Sequence, residues 1–277
     1  QEGSIIISCA GFTYNGTQQF PRALYVKTDG SYEELAMSNT GKGTDAGTYT
    51  VRLLPNSKYN ISAADFTCRY NIKPVDVTIS WQDGAMSGAQ TFSYIYNGAE
   101  QKPHAVVSGN GSLPCPVTVN GETNAGTYTA TAEVGKNFNI TSGATQSYTI
   151  KKLQINANLV QWDYASDNAL TFPAGGSYWI YDGNVHGPKA YVVLSQLSNL
   201  RIDFLVTGLS SAIGVHNVYA VLDSSDPAHA NFDISGTASS SFEIVRVPVT
   251  DVYWEDGAGN TSQNGSTLLS FVYDGNP

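Results

Sequence analysis

The sequence is poor in charge, in helix signals and in long apolar runs. Asp, Glu, Lys and Arg together supply 13% of the 277 residues. Basic residues number 14 against 23 acidic ones, a net charge of -9. With no basic stripe to neutralise phosphates, the balance argues against nucleic-acid binding, and an anionic membrane surface would repel the chain. No apolar run approaches the roughly 18 residues needed to span a bilayer, so no membrane insertion is expected. Apolar residues never recur at helical spacing for long; Tyr32–Met37 reads as a single helical turn at most. Cysteine is scarce and odd in number, with Cys9, Cys68 and Cys115. Cys9 and Cys68 flank the first repeat, where one bridge or a set of free thiols both fit. Gln1–Ser4 carries neither a charged nor an apolar leader region, and the chain stops at Pro277. The expectation is a segment of a longer protein, with targeting and anchoring parts outside it.

What is present is a motif used four times: aromatic, any residue, Tyr, Asn or Asp, Gly. It occurs at Phe12–Gly16, Tyr94–Gly98, Trp179–Gly183 and Phe271–Gly275, with Tyr14, Tyr96, Tyr181 and Tyr273 as its tyrosines. The intervals are about 82, 85 and 92 residues, the size of a small β-domain. Aromatics two apart share one face of a strand and so offer paired anchors to a core. The Asn/Asp-Gly pair tolerates positive φ and ends the strand in a turn.

Between copies of the motif lie short runs with period-two alternation, separated by Gly, Asn, Asp and Pro turns. Each full unit holds about seven such strands, which points to all-β, immunoglobulin-like antiparallel sandwich domains in an elongated tandem array. The boundaries fall at residues 1–74, 75–152 and 153–246, and 247–277 begins a further, truncated repeat. A second recurring segment reads Ala-Gly-Thr-Tyr at Ala46–Tyr49 and Ala125–Tyr128. Tyr49 and Tyr128 suit a corner in which a phenol bonds back to nearby backbone, with Gly47 and Gly126 supplying the tight bend. In the third repeat His216 takes the place of the tyrosine, and an imidazole can still donate one bond there.

The Tyr-Asn/Asp-Gly strand, the Ala-Gly-Thr-Tyr-Thr strand, the Tyr/Phe-Asn-Ile turn and the closing Tyr-Thr-Ile-Lys strand resemble MBG (mostly-beta, glycine-rich) repeats. Those repeats occur in tandem in bacterial surface and adhesin-like proteins and are related to bacterial immunoglobulin-like domains. The resemblance implies an extracellular, cell-surface setting.

Residues with chemical capacity do not converge in the sequence. His104, His186, His216 and His229 sit at unrelated positions without metal-ligand spacing or a nucleophile partner. Asp83-Gly84, Asp256-Gly257 and Asp223–Asp226 offer oxygens for a structural calcium, yet none completes a loop pattern, and no cofactor is expected. Trp81, Trp162 and Trp254 recur before a turn and read as packing residues, while Trp179 differs from its siblings and is a candidate ligand contact. The resulting expectation is a non-enzymatic, monomeric stalk whose partners are its own neighbouring repeats. The alternative is a module for host glycans or glycoproteins, acting through the third repeat.

Overall fold

Alternation along the strands sets the fold. In Thr67–Lys73, Cys68, Tyr70 and Ile72 turn inward while Thr67, Arg69, Asn71 and Lys73 face solvent, the pattern of a strand with one buried face. The computed structural model describes residues 4–55, 57–59, 66–83, 91–165, 169–171, 177–255 and 261–263. The chain divides into two compact units, Gln1–Leu153 and Gln154–Pro277.

The first unit holds two repeats. The first contains β1 (Ser4–Ile7), β2 (Phe12–Thr13), β3 (Ala23–Val26), β4 (Tyr32–Leu35), β5 (Gly47–Arg52) and β6 (Thr67–Lys73). The second contains β7 (Val75–Gln82), β8 (Ser93–Ile95), β9 (His104–Ser108), β10 (Val117–Val119), β11 (Gly126–Val134), β12 (Phe138–Ser142) and β13 (Thr145–Lys151). Each repeat has two sheets: β1-β3-β4 with β2-β6-β5, then β12-β7-β9 with β10-β11-β13-β8. Ala23 and Leu35 of one sheet pack with Val51, Cys68, Tyr70 and Ile72 of the other. Ile79 and Ala105 pack with Ala132 in the same way. Each repeat therefore has its own core. Tyr32–Leu35 is a strand rather than a helical turn; Leu35 is buried while Glu33 and Glu34 reach outward to Lys58 and Arg22.

The second unit is entered through β14 (Leu153–Asn156) and contains β15 (Gln161–Asp163), β16 (Leu170–Thr171), β17 (Ser177–Ile180), β18 (Lys189–Leu194), β19 (Leu200–Thr207), β20 (Gly214–Val221), β21 (Phe232–Ser235) and β22 (Ser239–Val245). Here β19 pairs with β18 through its first half and with β20 through its second. The hydrogen-bonded order therefore runs unbroken as β15-β18-β19-β20-β22-β17-β16. A last pair joins β23 (Tyr253–Glu255) to β24 (Thr261–Gln263).

The strands are not all antiparallel. β2 runs parallel to β6, β8 to β13 and β17 to β22, and β12 is parallel to β7. A parallel pair cannot be closed by a tight turn. The three described motif strands, β2, β8 and β17, instead meet the last strands of their repeats and tie the two ends of each repeat together. The motif tyrosine extends that pairing, since Tyr14, Tyr96 and Tyr181 donate their backbone N–H to Lys73, Lys151 and Val245 at 2.9, 2.8 and 2.8 Å.

Candidate functional site

The recurring residues assemble into one aromatic triad per repeat. The first aromatic of the motif meets a ring of the closing strand at a steep angle: Phe12 on Tyr70 at 5.6 Å and 87°, Tyr94 on Tyr148 at 6.0 Å and 67°, Trp179 on Phe242 at 5.1 Å and 83°. That closing-strand ring then meets the corner residue across the strand pair. The centroids lie at 5.6 Å for Tyr49–Tyr70, 5.7 Å for Tyr128–Tyr148 and 5.3 Å for His216–Phe242. Such pairs add about 0.5–1.5 kcal/mol beyond the area they bury.

Each corner residue bonds back to the carbonyl four residues earlier. Tyr49 Oη donates to Asp45 O at 2.9 Å and Tyr128 Oη to Asn124 O at 3.0 Å. His216 donates from Nε2 to Ala212 O at 2.7 Å. A carbonyl only accepts, so the His216 proton resides on Nε2. At the glycines, a Cβ on Gly126 would come within 2.7 Å of Tyr128 Oη, whereas one on Gly47 would sit at 3.6 Å from the Tyr49 ring. The glycine pressed against Tyr49 is Gly43, where a Cβ would overlap the ring itself.

Asn15, Asn97 and Asp182 each accept, through Oδ1, the amide two residues on, at 2.9, 3.0 and 2.8 Å. The intervening Gly16, Gly98 and Gly183 have φ of 77, 78 and 82°, where a side chain is strained. Two residues beyond that acceptor's partner, Gln19 and Gln101 donate to the Thr13 and Ile95 carbonyls, both at 3.1 Å. The third repeat has His186 there, with Nε2 at 2.8 Å from Asp182 Oδ1. Asp182 is held down to about 2, first by the Asn184 amide, then by the Asn184 side chain, then by His186.

The triad and corner of the first repeat carry a feature that reaches the second. β6 ends at Lys73 and β7 begins at Val75, leaving Pro74 alone between them. The corner loop at Asp45 and Ala46, fixed from behind by Tyr49, is gripped by the turn before β12. Ala46 N donates to Asn137 Oδ1 at 2.7 Å, Asn137 Nδ2 donates to Asp45 Oδ1 at 3.0 Å, and Lys136 Nζ sits 2.9 Å from Asp45 Oδ2. Asn137 bonding and the neighbouring Lys136 ammonium hold the Asp45 carboxyl below its ordinary range. Beside this grip Phe138 packs edge-on to Tyr14 at 5.7 Å and 78°. Leu113 approaches so closely that a Cβ on Gly16 would lie 3.3 Å away. One polar clamp and one aromatic contact thus join two cores across a single residue.

The other singled-out residues have plain positions. Cys9 and Cys68 are bonded, with Cα atoms 5.8 Å apart, and Cys68 lies in the first core. Cys115 is free and half-buried, and burial pushes its thiol up. Trp179 is 3% exposed, enclosed by Phe242, Tyr164 and His186. It fills the slot of Phe12 and Tyr94, so the expected ligand contact has no open ring face. Trp81 donates to Gly143 O at 2.8 Å and packs between sheets, while Trp254 is exposed. Asp223 and Asp226 spend their carboxylates on Ser225 and Ala228 amides, and among the described residues no three His, Cys, Asp or Glu gather as metal ligands. Tyr273, Gly84 and Asp256-Gly257 lie outside the described residues. Sequence reasoning missed Lys136 and Asn137 and read Phe138-Asn139-Ile140 as a turn, whereas it opens strand β12. Compared with known protein families the chain matches no family model, and compared with curated proteins it matches none.

Proposed function

We propose that this chain is a non-enzymatic spacer: tandem immunoglobulin-like repeats of the MBG kind, forming part of the stalk of a bacterial surface protein of the adhesin type. The observation that carries the reading is the clamp at Asn137. A one-residue connection backed by side-chain bonds and a buried ring limits bending between two cores, which is what a spacer needs and a catalytic cleft does not. The aromatic triads serve the same end, since each repeat has its own closure and its own tie between first and last strands. In the first repeat a disulfide adds to that tie.

Pulling the chain by its ends tests the reading. A spacer under tension gives separate unfolding events, each lengthening the chain by one repeat at about 3.3–3.6 Å per residue. The Cys9–Cys68 bond shortens the first repeat's event until a reductant is added. A single event for the whole chain contradicts the proposal. A second reading, a module for host glycans or glycoproteins acting through the third repeat, draws on that repeat's exposed Leu205, Val215 and Tyr219.

A further inference from the structure

In the first two repeats the outward side of the closing sheet is polar. Thr48, Thr50 and Arg52 of β5 stand opposite Asn71, Arg69 and Thr67 of β6. On β11 the same side carries Thr127, Thr129, Thr131 and Glu133. The third repeat keeps this register and changes the chemistry. Gly214 pairs with Ile244 as Gly47 pairs with Ile72 and Gly126 with Ile150, so the positions correspond one for one. Val215 stands where Thr48 and Thr127 stand, and Tyr219 where Arg52 and Thr131 stand. The cross-strand pair Thr118–Glu133 of the second repeat becomes Leu205–Val221.

These side chains face solvent: Val215 is 70% exposed, Leu205 52%, Tyr219 44% and Val221 38%. They alternate with Val218 at 0% and Ala220 at 5%, so the core side of β20 is already furnished. The apolar side chains, interrupted by Asn217 between Val215 and Tyr219 and faced by Ser239 and Ser241 of β22, are therefore an addition to the outer face and not a core set turned the wrong way. Beyond Val221 the face runs into a groove of about 540 Å³ lined by Tyr219, Val221, Leu222, Asp233, Ile234 and Thr237, among others.

Charge says what kind of surface would cover it. Residues 1–153 contain eleven basic and eleven acidic side chains, and residues 154–277 contain three and twelve. The whole net charge of -9 thus belongs to the unit that carries these apolar side chains. Glu243 lies directly across from Val215 on the same face and Asp233 lines the groove, while Asp203 on β19 is already paired with Arg201 at 2.7 Å. Two copies meeting by this face would oppose like charges, whereas a cationic surface is attracted by the same carboxylates.

We propose that the outer face of β19, β20 and β22 is a docking surface for a partner protein that presents apolar side chains ringed by lysine and arginine. It is independent of the Asn137 clamp, so either can fail without the other.

The probe is a labelled synthetic peptide in which valine and tyrosine alternate with lysine, titrated by anisotropy against the full chain; a version with glutamate for lysine is the second probe. The expected result is saturable binding of the lysine peptide alone, weakened by about 0.5 M salt. The double variant Val215→Thr, Tyr219→Thr introduces the second repeat's own residues, leaves the charge unchanged and weakens binding about tenfold or more. If that variant unfolds early in a thermal scan, Leu205→Thr replaces it with the same expectation. Four results overturn the proposal: no binding of the lysine peptide, equal binding of both peptides, affinity unchanged by the threonine variants, or sedimentation showing a self-associated chain that those variants dissociate.

Discussion

Asn137 holds Asp45 and its neighbouring amide with both ends of one side-chain amide, accepting from Ala46 N at 2.7 Å and donating to Asp45 Oδ1 at 3.0 Å. The corner it grips is itself fixed by Tyr49, whose phenol bonds Asp45 O at 2.9 Å. The second repeat is thereby attached to a bend of the first that is bonded from both sides.

Asn137→Ala should remove both bonds and destabilise the first unit by about 1–2 kcal/mol. Amide exchange reads the effect locally: Ala46 N–H loses its protection while Tyr49 and its strand keep theirs. Asn137→Asp should be worse, because a second carboxylate would face Asp45. An Ala46 amide that exchanges equally fast in the native chain and in Asn137→Ala would show that the clamp does not form.

The corners should be interchangeable. His216→Tyr is expected to leave the thermal midpoint of the second unit nearly unchanged, since a phenol reaches the same carbonyl in the other repeats. His216→Phe and Tyr128→Phe should each cost about 1 kcal/mol through one lost bond. Gly126→Ala places a Cβ 2.7 Å from Tyr128 Oη, and should cost more than either by displacing the ring. Denaturant titration of each variant measures all four.

Much of this was legible in the sequence because it is local and repeated. Period-two alternation marks β6 and β11, and the recurrence of Ala-Gly-Thr-Tyr marks the corner. What was not legible depends on partners far along the chain. The parallel pairing of β2 with β6 joins the two ends of a repeat, and nothing near Phe12 announces it. Asn137 and Asp45 are 92 residues apart, so nothing local to either one marks the clamp. Trp179 could have been placed by its slot, because the residues aligned with it, Phe12 and Tyr94, are ordinary core aromatics. Its difference from the other repeats' aromatics suggested a ligand, and its position in the motif decided otherwise.

Reduction of Cys9–Cys68 should act on the first repeat alone. The bond spans a separation of 59 residues, a loop whose closure removes about 4 kcal/mol of unfolded-state entropy at 25 °C. Cys9→Ser, or the native chain in reductant, should unfold its first repeat at a clearly lower denaturant concentration. The third repeat's transition should not move, and a uniform shift of all transitions would contradict separate cores.

Acid should find Asp182 late. Its pKa of about 2 in the folded chain lies below an unfolded value of about 3.9. A depressed carboxylate stabilises the fold above the unfolded value and loses that contribution as pH falls from about 4 towards 2. Carboxyl titration by NMR should show Asp182 among the last side chains to protonate. His186→Gln, the residue type at this place in the other repeats, should raise its pKa without restoring the ordinary value, because the Asn184 bonds remain. An ordinary carboxylate titration for Asp182 in the native chain would refute this arrangement.

The Asn137 clamp should make the first two repeats move as one body. Residual dipolar couplings measured in the first and second repeats of the aligned native chain decide this. Both sets are expected to fit one alignment tensor, and Asn137→Ala to split them into two of different magnitude. Two unequal tensors in the native chain would contradict it.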